Sequence, residues 1–187
     1  MNIFLIGYRC TGKTTVGKVL SQYIQWPFID SDQKLVEIQG MLILDIVKTH
    51  GWSYFREKEK QLLNQLCQYK HHVIATGGGV ILDPDNRQAM KKSGKRVWLR
   101  ARPETIYQRM QQDIMTRTQR PALNDDGMTD LKMEINQTLS HRMPLYKECA
   151  DMCIDTDELD SDHLANAIFQ WVCSTDFQIK NCKDERL

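Results

Sequence analysis

The stretch Gly7-Tyr8-Arg9-Cys10-Thr11-Gly12-Lys13-Thr14 has the spacing G-x-x-x-x-G-K-[ST], which suits the gripping of a polyphosphate. Gly7 and Gly12 let the backbone curl so that its N–H groups point at the anion, and a helix over Thr15 to Tyr23 would add its positive dipole end. Cys10, Thr11, Gly12 and Thr15 belong to the same cradle. In that chemistry Lys13 reaches the β- and γ-phosphates of ATP and the Thr14 hydroxyl holds Mg²⁺.

Four further groups could serve the acceptor, the metal or the closure over ATP. Asp30 and Asp32 stand two apart at the end of an apolar run, Trp26 to Asp30. On a strand end that spacing aims both carboxylates the same way, one for a metal-bound water and the other for an acceptor hydroxyl. Arg56 falls in the first turn of a helix expected from Phe55 to about Tyr69, where the dipole disfavours a cation. It therefore reads as a grip for a carboxylate, with Glu59 three residues on to hold it. Gly77-Gly78-Gly79 ends an apolar run and would bring bare backbone against a ligand. Residues 115–121 lack periodicity and read as a basic loop able to close over ATP and present an arginine, Arg120.

These groups need a scaffold, and the chain alternates apolar strand-like runs with helical patterns. Strands are expected at 3–6, 26–30, 71–75, 96–100 and 151–155. Helices are expected over 15–23, 33–39 and 41–50, from Phe55, over Pro84–Ser93, from Pro103, from about Met128, and over 161–172 with Leu164, Ala167, Ile168 and Trp171 on one face. Such alternation argues for a parallel sheet covered on both faces. Residues 174–187 are polar and are expected to fray.

At 187 residues and 41% hydrophobic, the chain supports one core, so residues 1–173 are taken as a single domain with a lid at about 111–124 and a tail after it. A net charge of +1 argues against a nucleic-acid partner held by a broad basic face. Six cysteines without scaffold spacing fit reduced thiols, and no apolar run approaches a membrane span. The expectation is a cytoplasmic monomer acting on a small molecule.

Taken together, the phosphate loop followed by Thr14-Thr15-Val16-Gly17, Asp30-Ser31-Asp32, Phe55-Arg56 with Glu59, Gly77-Gly78-Gly79, Arg120-Pro121 and Arg142 with Pro144-Leu145-Tyr146 resemble the shikimate kinase family. The resemblance covers about Asn2 to Val172. It implies a three-layer P-loop NTPase fold, with a central five-stranded parallel sheet, helices on both faces and a mobile lid. It further implies transfer of the γ-phosphoryl group of ATP to the 3-hydroxyl of shikimate, on the route to chorismate and the aromatic amino acids. Carried over by position, Asp32, Arg56, Gly78 and Arg142 would bind shikimate, Asp30 would lie near the metal, and Arg120 would reach ATP. An adenine-side arginine would be Arg109 or Arg117, with Arg109 preferred. The sequence departs from the family at Cys10, where a small residue is common, and at Ala122, where a leucine is usual. A kinase of the same fold acting on another acceptor such as gluconate, and a nucleotide-binding regulator without activity, are the rival readings; the absence of N-K-x-D disfavours a GTPase.

Overall fold

In β1, Asn2–Ile6, Ile3 and Leu5 pack on one side of the sheet, Phe4 and Ile6 pack on the other, and all are fully buried. Each contributes about 2 kcal/mol on burial, and a strand buried on both faces requires cover above and below. The computed structural model describes the backbone of residues 1–113 and 130–184, with side chains up to 174.

After β1 come α1 (Lys13–Ile24), β2 (Phe28–Asp30), α2 (Ser31–Gln39), α3 (Ile43–Leu66), β3 (Val73–Ala75) and α4 (Pro84–Ser93). Then follow β4 (Gly94–Arg100), α5 (Pro103–Gln112), α6 (Leu131–Cys149), β5 (Met152–Asp155) and α7 (Ser161–Asp184). The strands form one five-stranded sheet in the order β2-β3-β1-β4-β5, with every described pairing parallel. Val16 and Leu20 of α1 and Leu164, Ala165, Ile168 and Val172 of α7 cover the face bearing Ile3 and Leu5. Helices α3, α4 and α6 cover the face bearing Phe4, Ile6, Ile74 and Trp98, where the Tyr146 ring stacks on Trp98 at 5.6 Å.

The helical break expected at Gly51 is present: α3 consists of two helical limbs joined where Gly51 adopts φ 82 and ψ 168, and the second limb opens directly after Gly51 rather than at Phe55. Only glycine enters that region freely, so the bend sits there. The last helix continues to Asp184 rather than fraying after Val172. Its buried stripe takes in Ala165 and Val172, while Ala167 is exposed. The lid expected at 111–124 falls almost wholly outside the described residues. Among the described residues no helix is long and apolar enough to cross a membrane.

Parallel pairing sends the carboxyl ends of all strands to one edge of the sheet. The loops after β1, β2 and β3 therefore meet there, which is where open α/β sheets bind ligands.

Candidate active site

Between β1 and α1 the chain turns through Gly7, at φ 144, and Gly12, at φ 86. A Cβ on Gly7 would run into the Leu99 carbonyl, so this residue can only be glycine. Lys13 is buried, and its ammonium donates to the carbonyl oxygens of Gly7 (2.9 Å) and Tyr8 (2.6 Å). The ammonium is thus held by the loop's own carbonyl groups. Thr14 Oγ1 donates to Asp30 Oδ2 at 2.6 Å, joining the two oxygen groups expected to share a metal.

Asp30 and Asp32 do not act as a strand-end pair pointing one way. The strand stops at Asp30 and α2 begins at Ser31, so Asp30 becomes the helix cap. Its Oδ1 accepts from the backbone N–H of Asp32 (3.0 Å) and of Gln33 (3.3 Å), while Oδ2 turns to Thr14. Asp32, in the first helical turn, lines a different hollow.

That second hollow brings together the expected acceptor residues Asp32, Arg56, Glu59, Gly77, Gly78, Gly79 and Arg142. Tyr8, Arg9, Ile43, Trp52 and Phe55 complete its walls. Arg56 Nη1 donates to Glu59 Oε2 at 2.6 Å, and its guanidinium lies 5.3 Å from the Trp52 ring and 5.1 Å from that of Phe55. The bend at Gly51 starts the helical limb that carries all of these residues. Glu59 is 6% exposed, and its Oε1 has no hydrogen-bond partner among the described residues. Burial pushes its carboxyl up from the ordinary range; Arg56 opposes this and the nearby Asp32 adds to it.

The glycine triplet is explained by what crowds it. A Cβ on Gly77 would sit 2.5 Å from Glu59 Oε1 and 2.8 Å from Asp32 Oδ1, and one on Gly79 would overlap the Arg56 guanidinium. The Gly78 carbonyl accepts from Arg142 Nη1 (3.2 Å) and from Tyr146 Oη (2.5 Å), which anchors α6 to this loop. Burial raises the Tyr146 hydroxyl's pKa well above its ordinary value, keeping it a donor. Gly79→Ala is expected to displace Arg56 and cut kcat/KM for the acceptor by up to about 10²-fold without changing the backbone, since Gly79 has φ −100. Steady-state kinetics check this; an unchanged kcat/KM would mean that Arg56 can sit elsewhere at no cost.

On the other side of the phosphate loop, Cys10, Thr11, Gly12, Thr15 and Arg109 line a third hollow with Thr156, Leu159 and Leu164, about 460 Å³ in volume. Arg109 Nη1 donates to Cys10 O (3.3 Å) and Thr156 Oγ1 (3.0 Å), and Nη2 donates to Thr156 O. Cys10 takes the left-handed conformation, φ 58, which is unusual for a side-chain-bearing residue. Arg117 and Arg120 lie outside the described residues. Sequence reasoning passed over Arg9, Trp52 and Glu134. Arg9 and Glu134 are both nearly buried and pair at 2.8 Å, and an arginine among the variable positions of the phosphate loop was the available signal for the first.

Comparison with known proteins agrees with this geometry. The family model for shikimate kinase matches residues 9–173. The shikimate kinase of Syntrophus aciditrophicus is 37% identical over 183 residues, 95% of this chain and 94% of that one. Shikimate kinase 2 of Photorhabdus laumondii is 39% identical over 82% of this chain and 85% of its own. Among solved structures, the shikimate kinase from Acinetobacter baumannii in complex with shikimate superposes with a TM-score of 0.85 at 34% identity, covering 93% of each chain. A phosphate loop, a neighbouring hollow lined by three arginines and two carboxylates, and matches spanning nearly the whole sequence lead to one conclusion: the chain belongs to the shikimate kinase family.

Proposed function

We propose that this protein transfers the γ-phosphoryl group of ATP to the 3-hydroxyl of shikimate, giving shikimate 3-phosphate and ADP. The observation that carries the reading is the single hollow beside the phosphate loop in which Asp32, Arg56, Gly78 and Arg142 meet. Shikimate is a ring bearing one carboxylate and several hydroxyls. Two guanidinium groups suit the acid, and a carboxylate with open glycine backbone suits the hydroxyls.

The acceptor oxygen forms a bond to the γ-phosphorus while the bond from that phosphorus to the β–γ bridging oxygen breaks. The hydroxyl proton passes to Asp32. Lys13 stabilises the charge that grows on the bridging and γ-oxygens, and most of the acceleration comes from this placement and neutralisation. Arg120 adds a second positive charge from the segment after α5, a role that rests on the sequence motif. Arg109, beside Cys10 and Thr156, bounds the hollow in which the purine fits.

Thr14 and Asp30 suit Mg²⁺. They offer one hydroxyl and one carboxylate, both hard oxygen donors brought together at the mouth of the loop, leaving other positions to water and phosphate oxygens. When bound, Mg²⁺ neutralises charge on the β- and γ-phosphates. Asp30→Asn keeps a good helix cap and removes the negative charge, so the Mg²⁺ concentration giving half-maximal rate should rise about 10- to 100-fold. A Mg²⁺ titration at fixed ATP tests this, and an unshifted midpoint would remove Asp30 from the metal.

The functional reading is tested by ADP release with MgATP and, in separate reactions, shikimate, gluconate, AMP, CMP or no acceptor. Turnover should appear with shikimate alone. Turnover with gluconate instead would keep the kinase and change its substrate. Silence with every acceptor, alongside measurable ATP binding, would favour the regulator.

A further inference from the structure

Tyr8 and Arg9 occupy variable positions of the phosphate loop, yet both side chains are buried and both face α6. Arg9 Nη2 donates to Glu134 Oε1 at 2.8 Å, with side chains 10% and 8% exposed. The Tyr8 ring packs among Ile135, Leu139, Ile106 and Met110, and it is flanked by two guanidinium groups, Arg9 at 5.5 Å and Arg142 at 5.9 Å. Glu134 and Arg142 lie about two turns apart on α6, within its one buried stripe. Arg142 in turn donates to the Gly78 carbonyl, and a Cβ built on Gly78 would stand 3.4 Å from both Arg9 N and Gly7 O, so the triplet runs beside the loop within a side chain's width. The phosphate loop, the glycine triplet and α6 thus close a ring of contacts around Tyr8.

From this arrangement we infer that Tyr8 and the Arg9–Glu134 pair are positioning residues that tie the acceptor arginine Arg142 to the state of the phosphate loop, so that bound nucleotide tightens the site for the acceptor. The loop end of the strut is responsive. Lys13 Nζ and Thr11 Oγ1 both donate to the Tyr8 carbonyl, at 2.6 and 2.8 Å. A phosphate that competes for the Lys13 ammonium therefore acts on the peptide joining Tyr8 to Arg9. The Arg9 fork transmits that displacement because its partner is also buried: breaking the pair would leave a charge stranded away from water. The Tyr8 ring provides the second link, since it touches the guanidinium at each end. The inference rests on shikimate being the acceptor and assigns these residues no contact with reacting atoms. Coupling of this kind is reciprocal, so shikimate must tighten nucleotide by the same factor.

The test is calorimetric titration of shikimate into the full chain, alone and saturated with MgADP, for wild type, Arg9→Met, Glu134→Gln and the exchanged pair Arg9→Glu with Glu134→Arg. Methionine keeps the stem of Arg9 beside Tyr8 and removes only the fork. The wild type should bind shikimate about fivefold or more tightly with MgADP present, the lower end of ordinary coupling. Either single variant should bring that ratio close to one, raise KM for shikimate more than it lowers kcat, and leave the Kd for MgADP alone in place. The exchanged pair should recover much of the ratio. An unchanged ratio in both single variants, or a wild-type ratio of one, overturns the inference. So does equal weakening of both ligands with a lowered Tm, the signature of a merely structural pair. Turnover by the wild type in the ADP assay keeps these outcomes separate from failure of the functional reading, and a wild type that does not turn over shikimate overturns both.

Discussion

Lys13→Met should lower kcat about 10²- to 10³-fold, the usual cost of losing one preorganised charged donor from a transition state. The wild-type ammonium is held by the carbonyl oxygens of Gly7 and Tyr8 beneath the loop that would hold the phosphates. Methionine fills the same channel with a similar stem and carries no charge, so packing survives while electrostatic stabilisation is lost. The loss should fall on kcat more than on KM for ATP, because charge on the β–γ bridging oxygen grows as the bond breaks. Steady-state kinetics with a thermal melt as control decide it: a kcat within threefold of wild type would take Lys13 out of the chemistry.

Arg142→Met should raise KM for shikimate about 10- to 100-fold and leave KM for ATP nearly in place. A hydrogen bond to a charged group is worth about 1.5–3 kcal/mol, and each 1.4 kcal/mol is a factor of about ten. The loop it braces should stay put, because Tyr146 Oη still donates to the Gly78 carbonyl. The variant therefore separates acceptor binding from loop architecture. An unaltered KM for shikimate would exclude Arg142 from the carboxylate grip.

Much of the scaffold was legible because its causes are local. Apolar strand runs alternate with helices that carry their own punctuation: Pro84 follows the capping Asp83, Pro103 opens α5, and Gly40 ends α2. The phosphate loop is also local, and its glycines are required by backbone angles that the motif encodes. The acceptor hollow is not local. Its residues come from the phosphate loop, from α2, from α3, from the loop after β3 and from α6, and for the acceptor residues only their likeness to a family pattern joined them before the fold did.

Where local reasoning failed, tertiary packing supplied the missing term. The i, i+2 rule for Asp30 and Asp32 holds on a strand and lapses when a helix begins between them, sending one carboxylate to Thr14 and the other to the acceptor hollow. Burial of Glu59, with one oxygen lacking a hydrogen-bond partner among the described residues, depends on Gly77 being small enough to admit it. The partnership of Arg9 with Glu134 spans 125 positions, beyond any periodicity or short motif.

Phosphorus NMR of the products formed from MgATP and shikimate tests the central claim most directly, because it reads both the reaction and the hydroxyl used. The expected result is one shikimate phosphate ester for each ADP, with its phosphorus coupled to the proton on carbon 3. ADP without a shikimate ester, or an ester on another hydroxyl, would contradict the assignment of Asp32, Arg56 and Arg142 to that substrate.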